Sequence, residues 1–437
     1  FINIADERIA ERVAHDLDGG LLWPEPLIQL NPAFEPGPLI DELADRGVLH
    51  PTCRKVFRIK SESGQSRPLR LHRHQADALE AAQSGDNYVL TSGTGSGKSL
   101  AYIVPIVDHV LRRGSGRGIQ AIIVYPMNAL ANSQQEELEK FLCRGFDQGQ
   151  QPVTFALYTG QESEERREAI LANPPDILLT NYVMLELILT RPRELRLVSA
   201  ARGLRFIVLD ELHTYRGRQG ADVAMLVRRV RDACDADRMQ CVGTSATLAA
   251  GDSFEEQQRC VAETATRLFG APVKPHRVIG ETLRRVTRET SPDDPGFLQD
   301  LRDCVQTAAP PTDFLAFIND PLCSWIESTF GLTLEAETGR LRRATPVSIR
   351  GEDGAASGLA QLTGVSEDRC AEAIQRYLLA GYQVTHPETQ FPVFAFRLHQ
   401  FISRGDTVYA SLEPSDRRHL TTHAQQFVPC VDRGTGG

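Results

Sequence analysis

Between Leu69 and Gly270, short apolar runs alternate with longer stretches in which apolar residues recur every three or four positions. The runs predict strands over residues 87–91, 119–125, 153–158, 176–180, 205–210 and 240–244. Several are apolar at successive positions, Phe206-Ile-Val-Leu209 among them, which is the pattern of a strand covered on both faces. The stretches between them predict helices over 100–111, 132–141, 163–172, 182–190, 220–234 and 254–269. Regular alternation of this kind predicts an α/β fold, a parallel sheet with helices on both faces. Ligands of such sheets bind beyond the carboxyl ends of the strands.

The flanks read differently. Residues 1–68 are proline-rich and polar, with helical patches over 5–17 and 39–46, and form an N-terminal accessory segment. Residues 271–437 predict a mixed α+β region. Residues 272–280 are compatible with an extension of the preceding domain, and 292–311 read as a loop-rich linker. Helical pattern returns over 314–330 and 367–381, with strands over 393–398 and 407–412. The expected domains are therefore 1–68, 69–270 and 271–437. The chain opens on Phe1 rather than Met and closes on Arg433-Gly-Thr-Gly-Gly437, so a longer parent protein is expected.

Composition narrows the setting only a little. The 437 residues carry a formal charge of −9, unlike a dedicated basic nucleic-acid module, though a motor with a narrow contact track can be acidic overall. Nine cysteines lack the close spacing of a zinc knuckle and read as free thiols in a reducing compartment. The most apolar stretch, 177–189, is interrupted by Asn181 and Glu186, and no signal peptide is expected. A cytoplasmic protein without a membrane anchor is expected.

The chemistry begins at Tyr88-Val-Leu-Thr-Ser-Gly-Thr-Gly-Ser-Gly-Lys-Ser99, a strand running into a glycine-rich turn and then a helix. Backbone N–H groups from Thr94 through Gly95, Ser96, Gly97 and Lys98 to Ser99 can wrap a phosphate chain, facing it with the positive end of the following helix. Lys98 is placed to reach the terminal phosphates and the Ser99 hydroxyl to hold Mg²⁺. Ser92 stands where the strict pattern has glycine; Gly93 and Gly95 keep the turn sterically open. ATP and Mg²⁺ are the expected cofactors. A second signal is Arg205-Phe-Ile-Val-Leu-Asp-Glu-Leu-His213, in which a buried strand delivers two carboxylates to its end. Asp210 suits Mg²⁺, and Glu211 suits the general base that deprotonates an attacking water.

Lys98-Ser99, Asp210-Glu-Leu-His213 and Thr244-Ser-Ala-Thr247, in that order, resemble motifs I, II and III of the superfamily 2 helicases. Tyr125-Pro-Met-Asn-Ala-Leu-Ala-Asn-Ser-Gln134 and Asp210-Glu-Leu-His-Thr-Tyr-Arg-Gly-Arg-Gln-Gly220 are similar to a bacterial subgroup of large DNA helicases, of the MrfA repair type and of phage-defence systems. The resemblance covers roughly 69–270 and implies a P-loop, RecA-like first lobe. It also implies that Gln75 reads the adenine edge and that His213, with Ser245 and Thr247, couples hydrolysis to lobe movement. Pro126 and Asn128 in 126–130, Gly160 in Tyr158-Thr-Gly160, and Thr180 and Asn181 are the expected nucleic-acid contacts. All lie in strand-end loops beside helix N-termini, where small polar groups can hold the phosphates of a single strand.

After residue 270 no Gln-x-x-Gly-Arg-x-Gly-Arg string follows, so the second lobe and its arginines are not found. Such arginines are worth about 10³–10⁵ in rate. Two functions remain in view. One is an ATP-driven helicase or translocase on a nucleic acid, expected to be single-stranded DNA. The other is a nucleotide-switched DNA-binding or scaffolding subunit, among partner subunits of a repair or phage-defence complex, that never unwinds. A small-molecule kinase leaves the run from Asp210 to Thr247 without purpose.

Overall fold

The computed structural model describes residues 10–11, 13–15, 25–60, 66–93, 95–147, 149–246, 253–290, 294–306, 309–335, 339–351, 353–387, 389–400, 409–410 and 420–421. Thr94 and Thr247 lie outside them, as does most of the helix expected over 5–17. Of the strand expected over 407–412, Tyr409–Ala410 is described, paired antiparallel with Leu420–Thr421. The chain divides into two compact units, Phe34–Leu283 and a discontinuous one made of Phe1–Ala33 with Arg284–Gly437.

The first unit is an α/β domain. Its strands are β1 (Asn87–Thr91), β2 (Ala121–Tyr125), β3 (Phe155–Leu157), β4 (Ile177–Asn181), β5 (Phe206–Leu209), β6 (Gln240–Ser245) and β7 (Val273–Gly280). They form one seven-stranded parallel sheet in the order β7-β1-β6-β5-β2-β4-β3. Side chains alternate across a strand, so a continuously apolar strand feeds two cores. Ala121, Ile123 and Tyr125 of β2 enter one, with Phe206 and Val208 of β5. Ile122, Val124, Ile207 and Leu209 enter the other.

Helices α1 (Arg73–Gln83), α2 (Leu100–Arg113) and α3 (Asn128–Leu142) cover the first face. The second is covered by α4 (Glu164–Ala172), α5 (Tyr182–Thr190), α6 (Leu195–Ala200), α7 (Gly217–Ala233) and α8 (Phe254–Phe269). Inside α2, Pro105 has no N–H for the carbonyl of Ala101. The Tyr88 hydroxyl from β1 takes that place, donating to Ala101 O at 2.9 Å.

This unit is wider than residues 69–270 at both ends. Pro36–Leu39 pairs with Arg70–His72, and β7 adds an edge strand beside β1. In the second unit, Leu27–Asn31 pairs antiparallel with Ala395–His399, so the N-terminal segment is split between the two units. The supposed linker 292–311 holds a helix, α9 (Pro295–Gln306), which buries Phe297, Leu301 and Val305 on one face. The single helix expected over 314–330 is two, α10 (Phe314–Asn319) and α11 (Pro321–Phe330). Pro321 cannot continue α10, and Asp320 caps α11 through the N–H groups of Leu322 and Cys323. The hairpin Leu332–Leu334/Leu341–Arg343, α12 (Ala355–Thr363) and α13 (Glu367–Gln383) complete this unit. Among the described residues no helix is long and apolar enough to cross a membrane, and Cys53, Cys234, Cys241, Cys260, Cys304, Cys323 and Cys370 are free thiols.

Candidate nucleotide and nucleic-acid site

The sheet order assembles the site. Strand β6 lies between β1, which leads into the glycine-rich loop, and β5, which ends in the acidic pair. Thr244 and Ser245 therefore sit opposite Leu90 and Thr91 on one side, one residue beyond the Gly243–Leu209 pair on the other.

The loop is held from several directions. Ser92 N–H donates to Ser245 O at 3.2 Å. The Ser92 and Ser96 hydroxyls bond to each other at 2.7 Å. Serine in place of the expected glycine thus closes the loop from inside. Gly95 and Gly97 have φ of +84° and +68°, a region that favours glycine. A Cβ on Gly97 would also stand 2.6 Å from Nε2 of Gln75.

Gln75 is buried, and its amide donates to Gly97 O at 2.9 Å while its Oε1 accepts the His72 N–H at 2.8 Å. The residue expected to read adenine is thus directly beside the loop and engaged with it. His74, also buried, bonds Ser96 O at 3.1 Å through Nε2.

Lys98 extends to Glu211, Nζ to Oε1, at 3.0 Å. Both side chains are largely covered, 12% and 20% exposed, so this pair is better shielded from solvent than a surface ion pair. Ser99 donates its hydroxyl to Gln134 Oε1 at 2.6 Å. Asp210 is buried, with its N–H on Val124 O. Thr244 Oγ1 donates to an Asp210 carboxylate oxygen and accepts the Glu211 N–H at 3.1 Å, so one hydroxyl fixes both acids. Burial pushes the Asp210 carboxyl up; the Thr244 hydrogen bond and, more weakly, Lys98 oppose it.

Glu211 has φ +51°, a left-handed conformation that ends β5 abruptly before the 3₁₀ turn Leu212–Thr214. That turn packs closely on β6, where a Cβ on Gly243 would stand 2.3 Å from Leu212 Cδ1. His213 Nδ1 is 3.2 Å from Glu211 Oε2 and 3.4 Å from Ser245 Oγ. Glu211 Oε2 is buried and has no hydrogen-bond partner.

These groups fit a triphosphate and a hard cation. Gly93 N–H already takes an anion, Oε2 of Glu281 at 3.1 Å, so the loop's amides suit a phosphate oxygen. Ser99 and Asp210 are oxygen ligands of the kind Mg²⁺ prefers, and a cation would offset the buried charge on Asp210.

The nucleic-acid candidates lie at the ends of β2, β3 and β4. Asn181 Nδ2 donates to Asn128 Oδ1 at 2.7 Å, and Asn181 Oδ1 caps α5 by accepting the Met184 N–H. Gly160 is exposed and Pro126 half-buried. Two placements differ from the sequence reading. The loop expected over 126–130 is already the first turn of α3 from Asn128 on. Thr180 is fully buried and donates its hydroxyl to Tyr158 O at 2.7 Å, so it faces the fold and not solvent. Thr244, Gln134 and Glu281 had been given no part. Thr244 is the one a local signal marks, as the first residue of Thr-Ser-Ala-Thr.

Residues 72–254 match the family model of the DEAD/DEAH box helicases. The chain carries a DEAD/DEAH box helicase domain. The chain is similar to Druantia protein DruE of Escherichia coli (strain UMEA 4076-1), 26% identical over 61% of this chain and 21% of that protein. It is 32% identical to the uncharacterized ATP-dependent helicase YprA of Bacillus subtilis (strain 168), over 46% of this chain and 26% of the relative. The chain thus spans about a quarter or less of the length of these two relatives. Among solved structures, the DUF1998 helicase MrfA bound to DNA is 25% identical with a TM-score of 0.44, over 62% of this chain and 34% of that one. Within the helicase domain, the matched span runs from the residue before α1 to the first residue of α8 and encloses Gln75, the glycine-rich loop, Asp210, Glu211 and Ser245.

Proposed function

We propose that this chain is the nucleotide-binding lobe of an ATP-driven helicase or translocase whose track is single-stranded DNA. The observation that carries this reading is the convergence of Lys98, Asp210, Glu211 and Thr244 at the ends of adjacent parallel strands. In this reading the amides of Thr94, Gly95, Ser96, Gly97, Lys98 and Ser99 wrap the phosphates. Ser99 and Asp210 hold Mg²⁺, which when bound neutralises charge on the phosphate oxygens. Lys98 exchanges its bond to Glu211 for the terminal phosphates. Glu211, released, accepts the proton of the attacking water at its carboxylate. Gln75 exchanges its bond to Gly97 O for the adenine edge. His213, between Glu211 and Ser245, passes the state of the site to the segment containing Thr247. Pro126, Asn128, Gly160 and Asn181 line the strand, with Thr180 supporting them from behind.

DNA as the track, a repair or phage-defence setting with partner subunits, and a reducing cytoplasm belong to the same reading. They rest on the resemblance of 125–134 and 210–220 and on nine cysteines that lack the close spacing of a zinc knuckle. The experiment is ATP turnover by the chain with and without single-stranded DNA. Lys98→Ala should abolish nucleotide binding and turnover together; Glu211→Gln should bind Mg·ATP and not turn it over. DNA-stimulated turnover that survives both changes overturns the site assignment.

A second reading is a nucleotide-switched subunit that does not unwind. Tight Mg·ATP binding with no turnover on any nucleic acid, in a protein that also carries a second lobe, would support it, whereas the same result with this chain alone fits a lobe awaiting its partner.

A further inference from the structure

We infer that Gln134 is the positioning residue that presents the Ser99 hydroxyl to Mg²⁺ and makes that presentation responsive to the nucleic-acid strand. The inference rests on the nucleotide-site reading above. A hydroxyl that ligates a cation turns its lone pairs to the metal and must send its proton elsewhere. Ser99 sends its proton to Gln134 Oε1 at 2.6 Å. That acceptor is neutral, so it fixes the rotamer of Ser99 without adding a competing charge, and the lone pairs are left for the cation.

Gln134 does not come from the loop or the acidic motif. It stands on α3, six residues after Asn128, about 9 Å along the axis at 1.5 Å per residue. Asn128 is the residue that Asn181 holds across the ends of β2 and β4. One short helix therefore carries a strand-side contact at its first residue and the acceptor for the metal-side hydroxyl on its second turn. A strand that engages Asn128 or Asn181 reorients the first turn of α3, and Gln134 moves with it as part of the same hydrogen-bonded helix.

The test is the Mg²⁺ concentration giving half-maximal binding of a fluorescent ATP analogue to the 437-residue chain, with and without a single-stranded oligonucleotide. Gln134→Leu should raise that concentration about tenfold, as loss of a partner that orients a metal ligand does. Its affinity for the metal-free analogue should be unchanged, which also shows that the variant folds. Gln134→Glu, which keeps an acceptor oxygen but adds a charge beside the site, should keep the oligonucleotide-dependent shift that Gln134→Leu loses. The oligonucleotide should lower the midpoint in the parent chain and not in Gln134→Leu. An unchanged Mg²⁺ dependence in Gln134→Leu, or an oligonucleotide shift that survives it, overturns the inference alone. An analogue that binds Lys98→Ala as well as the parent overturns the nucleotide-site reading and this inference with it.

Discussion

At the scale of single residues, Thr244 holds the two acidic side chains in register. Its hydroxyl both donates and accepts, to Asp210 and from the Glu211 N–H, at a position with no exposure to solvent. Thr244→Val keeps the shape and removes both bonds, leaving a buried carboxylate and a partly buried N–H short of partners. Each such group costs about 1–3 kcal/mol. We expect a lower melting temperature and loss of turnover, with Thr244→Ser restoring both; thermal unfolding and an ATPase assay on the three proteins decide it. Lys98, Ser99, Asp210 and Glu211 were legible in the sequence because their signal is local, a residue type at a fixed offset from a strand end. Thr244, Gln134 and Glu281 act through contacts made 34, 35 and 188 residues away, and no local pattern carries that. Gln75 was legible as a position, but its bond to Gly97 was not.

At the scale of elements, the strands read clearly wherever both faces are buried, since β1, β2, β4, β5 and β6 each feed two cores. β7 was hidden by Lys274-Pro-His-Arg277, where the pairing with β1 is irregular and the side chains point outward. α1 was hidden by its alanines, which bury little area and give a weak apolar stripe. The break between α10 and α11 was written in Asp320-Pro321, and that cap carries a pH dependence. Burial pushes the Asp320 carboxyl up, against the Cys323 and Leu322 N–H groups that favour the charged form. The folded protein therefore keeps this proton to higher pH than the unfolded chain. Below about pH 4 both states hold it; as pH rises from there through the raised folded value, the unfolded chain releases its proton first and stability falls. Asp320→Asn keeps the capping oxygen and cannot ionise, so it should be more stable than the parent at pH 7, with the difference closing toward pH 4. Asp320→Ala loses the cap itself, about 1 kcal/mol. Melting temperatures of the three proteins across that range test the sign, and an Asn variant less stable at pH 7 would refute it.

At the scale of the molecule, the division into Phe34–Leu283 and a discontinuous second unit decides what the N-terminal segment is for. Residues 34–72 belong with the helicase domain, where Pro36–Leu39 lies against Arg70–His72. Residues before them belong with the second unit. Leu27–Asn31 completes its two-stranded sheet, Gln29 donates to Ala344 O at 2.7 Å, and Ile28 and Leu30 are buried in its core. Residues 27–31 and 36–39 are therefore structural, each in its own unit. Removing residues 1–33 strips Ile28 and Leu30 from the core of the second unit, each worth about 1.5–3 kcal/mol, a large share of the 5–15 kcal/mol that holds a typical domain folded. Among the described residues it takes nothing from the core that Tyr88, Leu90 and Ala101 enter beside the glycine-rich loop. The shortened chain should show two thermal transitions, with the one that Mg·ATP raises unchanged and the other lowered by many degrees or lost. Residues 34–283 produced alone should bind Mg·ATP as tightly as the full chain. A single transition, or loss of nucleotide binding in the 34–283 fragment, would mean that the second unit is needed to shape the site on the first.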